Sequence, residues 1–211
     1  YTIIGINQDK PSDANGTALS RDKYGDVLTV MPLGAPAGAG NGSAVTTDAS
    51  KTPWGTSSAP MNSSNTNDGS WKATVMRSTT MASYLAKLPA NTQKAIGYVQ
   101  KVTGQYGSNT NITTGDKCFL LSGKEIFGGT GNGNGSYCTT AEASATFQYQ
   151  YFANIATSTA SRAITGAQSN CWWLRSPNYG YSGIFCAVYA GSSSSSGAIG
   201  YNGVFPAFCI Y

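Results

Sequence analysis

The chain has 211 residues, of which 40% are hydrophobic and only 10% charged, with a net charge of +4 and no histidine. That length suits one large domain or two small ones, and the low charge argues against a solvating disordered tail. The missing histidines exclude His-dependent triads, Cys–His proteases and His-ligated metal sites. Lys72, Arg77, Lys87, Lys94 and Lys101 are scattered without a basic run, so no nucleic-acid partner is expected.

In chain order, residues 1–6 are β-branched and apolar and read as a strand, as do residues 27–31. Residues 32–69 are rich in Gly, Ala, Pro, Ser, Thr and Asn without a helical period. They are expected to form one long loop excursion, anchored by side chains such as Trp54 and Met61. Met81, Tyr84, Leu85 and Leu88 share one helical face, which predicts a helix near 75–88 ended by Pro89. Ala95, Ile96, Val99 and Val102 predict a second, near 92–103, stopped by Gly104, with Lys87, Lys94 and Lys101 on solvated faces.

Residues 117–121 read as a buried strand. Ser122 and Glu125 then match a capping box ahead of a short turn carrying Ile126 and Phe127. The glycine-rich stretch 128–135 lacks the Gly-Lys-Ser/Thr of a phosphate-binding loop. Phe147, Tyr149, Tyr151 and Phe152 read as core. Residues 184–189 and 204–211 are strand-like, and Pro206 predicts an edge strand or a bulge for the last of them.

The five cysteines, Cys118, Cys138, Cys171, Cys186 and Cys209, form neither a disulfide framework nor a Cys-x-x-Cys pair. Cys118, Cys186 and Cys209 lie in apolar runs and are expected reduced and buried, whereas Cys138 and Cys171 border loops and are open to pairing. None of the nine acidic residues is spaced as a catalytic pair. Asp9 with Asp13, or Asp22 with Asp26, offers oxygens to calcium, but no EF-hand-like loop is present and turn capping accounts for them. No catalytic residue, metal or cofactor is assigned. No apolar run approaches the roughly 18 residues that cross a bilayer, so no membrane insertion is expected. The start at Tyr1 rather than Met leads us to expect the C-terminal part of a longer protein.

The last forty residues are the most informative. Residues 178–202 consist largely of Tyr, Ser, Gly, Asn and Ala and contain no Lys, Arg, Asp, Glu or His. Tyr supplies rigid contact area, and small polar residues supply adaptable hydrogen bonds. The expected ligand-binding residues are Asn178, Tyr179, Tyr181, Ser182, Tyr189, Ser192, Ser194, Tyr201 and Asn202. Trp172, Trp173, Leu174, Gly203, Val204 and Phe208 are expected to form the flanking framework. Arg175, in a buried strand, is expected to hold backbone carbonyls or a carboxylate, with Asp116 and Glu125 as candidates.

Trp172-Trp173-Leu174-Arg175-Ser176-Pro177, followed by Gly203-Val204-x-Pro206-Ala207-Phe208, resembles the C-terminal signature of a domain family of gut bacteria and their phages. That family is of formally unknown function and is related to the C-type-lectin-like fold, which also houses the formylglycine-generating enzymes. Residues 114–122 with 125–128 resemble its middle motif, and residues 61–66 with Trp71, Met76 and Arg77 its upstream motif. The resemblance implies a single α+β, C-type-lectin-like domain over 1–211, with two helices, a small antiparallel sheet, long irregular loops and neighbouring terminal strands. Members of this kind occur as variable proteins of diversity-generating retroelements, in which adenine-directed mutagenesis turns Asn codons into Tyr, Ser, Asn and Gly. Residues 178–202 fit that palette.

The resemblance therefore implies a non-enzymatic receptor-binding domain, displayed on a phage tail or a bacterial surface, whose partner is a protein or glycan receptor. The sequence departs from the family at Phe205, where many members carry Arg, and it lacks the calcium-binding triplets of sugar-binding lectins and the two-cysteine site of formylglycine-generating enzymes. A carbohydrate-binding or carbohydrate-active module and a structural subunit of a virion or surface assembly remain alternatives. So does an ordinary Gly/Ser-rich connection at 178–202.

Overall fold

The computed structural model describes residues 1–32, 58–129, 138–154, 171–189 and 191–211. In chain order its strands are β1 Thr2–Ile6, β2 Leu28–Met31, β3 Ser58–Ala59, β4 Ile96–Gly97, β5 Val99–Gln105, β6 Ser108–Asp116, β7 Cys118–Phe119, β8 Cys171–Pro177, β9 Ile184–Tyr189, β10 Ser192–Gly197, β11 Asn202–Gly203 and β12 Ala207–Ile210. The helices are α1 Ala82–Lys87, α2 Ala90–Ala95, α3 Gly123–Phe127, α4 Thr140–Ala145 and α5 Gln150–Asn154. Twelve strands in three sheets and five short helices make the described residues mostly β. This corrects the expected two-helix α+β, C-type-lectin-like domain.

The first sheet contains β1, β2, β12 and β4 in that order, with β7 also on β12. β1 and β12 pair with opposite sides of β2, which brings the two ends of the sequence into one sheet. β12 is an interior strand: β2 lines one side, while β7 meets Ala207 and Phe208 and β4 meets Cys209 and Ile210 on the other. The edge or bulge predicted from Pro206 is therefore corrected. The proline stands one residue ahead of the first paired position, where its missing N–H removes no ladder bond.

A π-helical turn, Met76–Met81, runs directly into α1 and occupies the helix predicted near 75–88. Leu88 is already extended, as a residue before proline prefers. The second predicted helix is corrected. α2 ends at Ala95, and the chain continues as β4 and β5. The spacing of Ile96, Val99 and Val102 fits a helical face, but β-branched residues also suit strands, and β5 finds ladder partners in β6 along its whole length. Extended pairing turns Val99, Lys101 and Thr103 inward, so Lys101 is buried rather than solvated.

Capping-box chemistry starts α3 as predicted. Ser122 Oγ accepts from the Glu125 N–H at 3.2 Å, and Glu125 Oε2 accepts from the Ser122 N–H at 2.8 Å. Gly128 closes the helix at φ 78°, a conformation that favours glycine. Most of the predicted 32–69 excursion, including Trp54, and residues 130–135 of the glycine-rich stretch lie outside the described residues. The described end of the excursion is packed: β3 pairs with β11, and Met61 is buried.

Trp71, Trp172, Trp173, Phe119, Phe152, Phe185 and Phe208 are among the largest fully buried side chains of the described residues. All five cysteines are free thiols, so Cys138 and Cys171 do not pair. Burial pushes the Cys118, Cys186 and Cys209 thiols well above their ordinary range, which makes them poor nucleophiles.

Candidate functional site

The second sheet, ordered β10, β9, β8, β11, β3, carries the C-terminal segment singled out in the sequence. Its centre is β8, whose residues from Trp172 to Pro177 are all buried. Trp173 Nε1 donates to Ala59 O at 2.7 Å, locking β8 to β3. Arg175 meets both of its expected kinds of partner. Its guanidinium donates to Glu125 through Nη1 at 2.5 Å and Nη2 at 3.0 Å, and it also reaches Leu120 O, Val102 O and Thr103 Oγ1. Asp116 serves elsewhere, accepting from Arg77 Nε at 2.6 Å, Trp71 Nε1 at 2.9 Å and Thr114 Oγ1 at 2.7 Å. Burial by itself would raise the Glu125 carboxyl. The Arg175 guanidinium and then the Lys101 ammonium outweigh it and hold Glu125 at about 2.

Within 178–202, burial separates two kinds of residue. Tyr179, Tyr181, Tyr189 and Tyr201 are 44–67% exposed. Ser182 and Ser192 are also exposed, and Ser194 is half-buried. Asn178 and Asn202 are buried, and this corrects their expected role as contact residues. Asn178 ties a turn: its N–H donates to Ile184 O and its Oδ1 accepts from the Gly180 N–H, both at 2.9 Å. Asn202 lies in β11 opposite Ala59. A short amide that folds back on the backbone, as that of Asn178 does, is framework, whereas the buried Asn202 Nδ2 has no hydrogen-bond partner among the described residues.

The registers place the exposed residues in two groups. Tyr189 stands opposite Cys171 on one side and Ser192 on the other. Tyr201 precedes β11 by one residue, and Gly203 of that strand is level with Trp172, so Tyr201 emerges at the same end of the sheet. Tyr179, Tyr181 and Ser182 occupy the β8–β9 connection at the opposite end of β9, roughly 17 Å away for a six-residue strand. Between the groups runs β10, an edge strand whose Ser192, Ser193 and Ser195 are exposed.

The residues that hold this surface are ones the sequence did not reveal. Asn67 clamps the β8–β9 connection: its N–H donates to Ser182 O at 2.7 Å, and its Nδ2 donates to Tyr181 O and Ile184 O at 2.9 Å each. Asn65 Oδ1 accepts from the Ala198 N–H at 3.0 Å. A Cβ on Gly183 would come within 2.8 Å of the Asn65 backbone oxygen, so only glycine fits there. The Asn-rich run at 61–67 was visible as a motif, but its partners lie more than a hundred residues away. Replacing Asn67 with alanine is expected to cost about 1–3 kcal/mol, because the Tyr181 and Ile184 carbonyls lose their side-chain donor while the main-chain bond to Ser182 O remains. Urea unfolding reads the loss, and an unchanged midpoint would refute the clamp.

The acidic residues considered for calcium do not gather. Asp9 faces Lys101, Asp13 Oδ1 accepts from the N–H groups of Asn15 and Thr17, Asp22 accepts from Ser20, and Asp26 accepts from Asn7. Among the described residues no three His, Cys, Asp or Glu side chains come together as metal ligands, and no helix is long and apolar enough to cross a membrane.

Residues 42–211 match the model of the family described as Domain of unknown function (DUF6273), which covers most of the chain. The chain belongs to this family. Both parts of the C-terminal sheet discussed above, the rigid β8 framework and the Tyr/Ser surface, fall within the DUF6273 match, whereas β1 and β2 precede it. No curated protein and no solved structure matches the chain.

Proposed function

We propose that this DUF6273 domain is a non-enzymatic binding module, a retroelement-diversified variable protein displayed on a phage tail or bacterial surface. It grips a protein or glycan receptor with the outward residues of 179–201. The observation that carries this reading is where the exposed apolar surface lies. Of the twelve large hydrophobic residues exposed among the described residues, five fall in this one stretch: Tyr179, Tyr181, Tyr189, Ile199 and Tyr201. The residues between them, Phe185 to Val188 and Ala198, are in the core. Outward positions of this kind tolerate replacement, with effects usually within about 0.5 kcal/mol, while the inward ones do not. A segment that is to be rewritten without unfolding its scaffold needs that division.

Alanine at both Tyr181 and Tyr201 tests the reading, one position from each tyrosine group. With labelled domain applied to a panel of gut bacterial cells, attachment is expected to fall at least about tenfold, as loss of aromatic hot spots does, with the unfolding midpoint unchanged. Attachment that survives both substitutions would move the site elsewhere. A reverse-transcriptase gene beside a near-copy repeat of the final coding segment is the expected genomic companion. Glycan-array binding that persists after residues 178–202 are scrambled would favour a carbohydrate module instead.

A further inference from the structure

A densely hydrogen-bonded buried cluster lies away from the tyrosine surface. Residues 10–12 run antiparallel beside β5: Pro11 bridges Val99, the Gln100 N–H donates to Lys10 O, and the Ser12 N–H donates to Tyr98 O. Continuing that register by two residues sets Asp9 opposite Lys101. Both side chains are 1% exposed, and Lys101 Nζ lies 2.5 Å from Asp9 Oδ1. The same Nζ is 3.2 Å from Glu125 Oε1 and 3.8 Å from the centre of the Phe119 ring. The second Asp9 oxygen, Oδ2, accepts from Thr29 Oγ1 and Tyr149 OH at 2.6 Å each and from Cys209 Sγ at 3.4 Å.

A buried ion pair needs its remaining lone pairs and protons satisfied, and Lys101 Nζ also donates to Tyr149 OH at 2.8 Å. The same arrangement supplies what an amine and a carboxyl group need in order to react: a donor pair on the oxygen that gains charge, a carboxylate within reach of the nitrogen to move its proton, and a dry setting. We propose that Lys101 and Asp9 are joined by an intramolecular amide bond that the folded chain makes by itself, with Glu125 as the proton carrier.

The ammonium proton first passes along the Nζ···Oδ1 hydrogen bond, leaving an amine and a carboxylic acid. The Nζ lone pair attacks Cγ and forms the C–N bond, while the carbonyl electron pair moves onto Oδ2. The Thr29 and Tyr149 hydroxyls hold that oxyanion. Glu125, fixed by its two hydrogen bonds from Arg175, takes a proton from the nitrogen and delivers it to the Oδ1 hydroxyl. The Cγ–Oδ1 bond breaks, water departs, and the carbonyl reforms on Oδ2. Amine and acid become amide and water, with no oxidant or further reactant. Fixed contact between the two groups supplies the driving proximity, for which effective concentrations reach about 10⁵–10⁸ M in well-oriented cases. A cavity of about 200 Å³, lined in part by Asp9, Glu125, Val102 and Phe147, adjoins the pair and offers the water an exit.

The bond would tie the segment ahead of the DUF6273 match to a strand inside it, in a chain whose cysteines are all free. Intact-mass spectrometry of the purified chain tests it directly. The expected mass is below that of the sequence by one water, about 18 Da. Trypsin should then release a branched peptide joining residues 1–21 to residues 95–117, without cleavage after Lys101. Lys101→Arg retains the charge but offers no primary amine, and it is expected at its full sequence mass. A wild-type chain at full sequence mass overturns the proposal. So does a one-water loss that maps elsewhere, for instance to a succinimide at Asp68-Gly69.

Discussion

Replacing Glu125 with alanine is expected to remove about 3–5 kcal/mol of folding stability, a large share of the roughly 5–15 kcal/mol that a domain possesses. The carboxylate holds Arg175 through two hydrogen bonds, lies 3.2 Å from Lys101 Nζ, and caps α3 through the Ser122 N–H. Without it the Arg175 guanidinium keeps only carbonyl and hydroxyl hydrogen-bond partners in a dry interior, with Glu142 as a remaining countercharge. Urea unfolding near neutral pH measures the loss, and a loss below about 1 kcal/mol would mean that the remaining partners suffice without Glu125.

The pH dependence gives the same interaction a second signature. Glu125 is held at about 2 when folded, below its ordinary 4.5. Its stabilising contribution is therefore fully present above about pH 4.5 and drains away as the pH falls toward about 2. Glu142 works in the opposite sense. Burial raises its carboxyl, only partly offset by Arg175 and by hydrogen bonds from Ser176 and the Gly104 N–H, so protonation at low pH relieves a cost. The stability gap between wild type and Glu125→Gln should accordingly narrow as the pH falls from about 4.5 to about 2. A gap of constant width would place the effect of Glu125 in packing rather than charge.

The second large effect is a contrast within the C-terminal sheet. Trp173→Ala is expected to cost about 3–5 kcal/mol, whereas Tyr181→Ser should stay within about 0.5 kcal/mol. Trp173 is fully buried and its Nε1 holds the Ala59 carbonyl, so its loss opens a cavity and orphans an acceptor. Tyr181 is 55% exposed, and only its backbone carbonyl is engaged, by Asn67. Thermal unfolding of the two variants side by side reads both numbers. A loss above about 1 kcal/mol at Tyr181 would mean that its ring is part of the scaffold, and the outward positions could not then be freely rewritten.

Several parts of this structure were legible residue by residue. The Ser122–Glu125 capping box, the strand residues ahead of it and the burial of Trp172 to Leu174 follow from chemistry that acts over a few neighbouring positions. The Arg175–Glu125 pair was legible as one of two options, because a buried guanidinium must find an anion and few were on offer. Lys101 shows the limit of that reasoning. A lysine amid Ile96, Val99 and Val102 looks like the wet edge of an amphipathic helix, and it becomes a core residue once β6 pairs along one side of β5 and residues 10–12 meet the start of β5 on the other.

Sequence by itself determined which residues are apolar, which local caps and turns are possible, and that residues 178–202 carry rigid aromatic and small polar groups without charge. Tertiary structure alone decided the mostly β architecture, the interior place of β12 behind Pro206, the division of the tyrosines into two groups, and the burial of Asn178 and Asn202. It also decided that Asn65 and Asn67 buttress the segment and that Asp9 meets Lys101. The reason is physical. Capping, turn formation and side-chain periodicity act over a few residues, whereas strand pairing and burial bring together groups separated by up to two hundred, and no local pattern records which partner a strand will find.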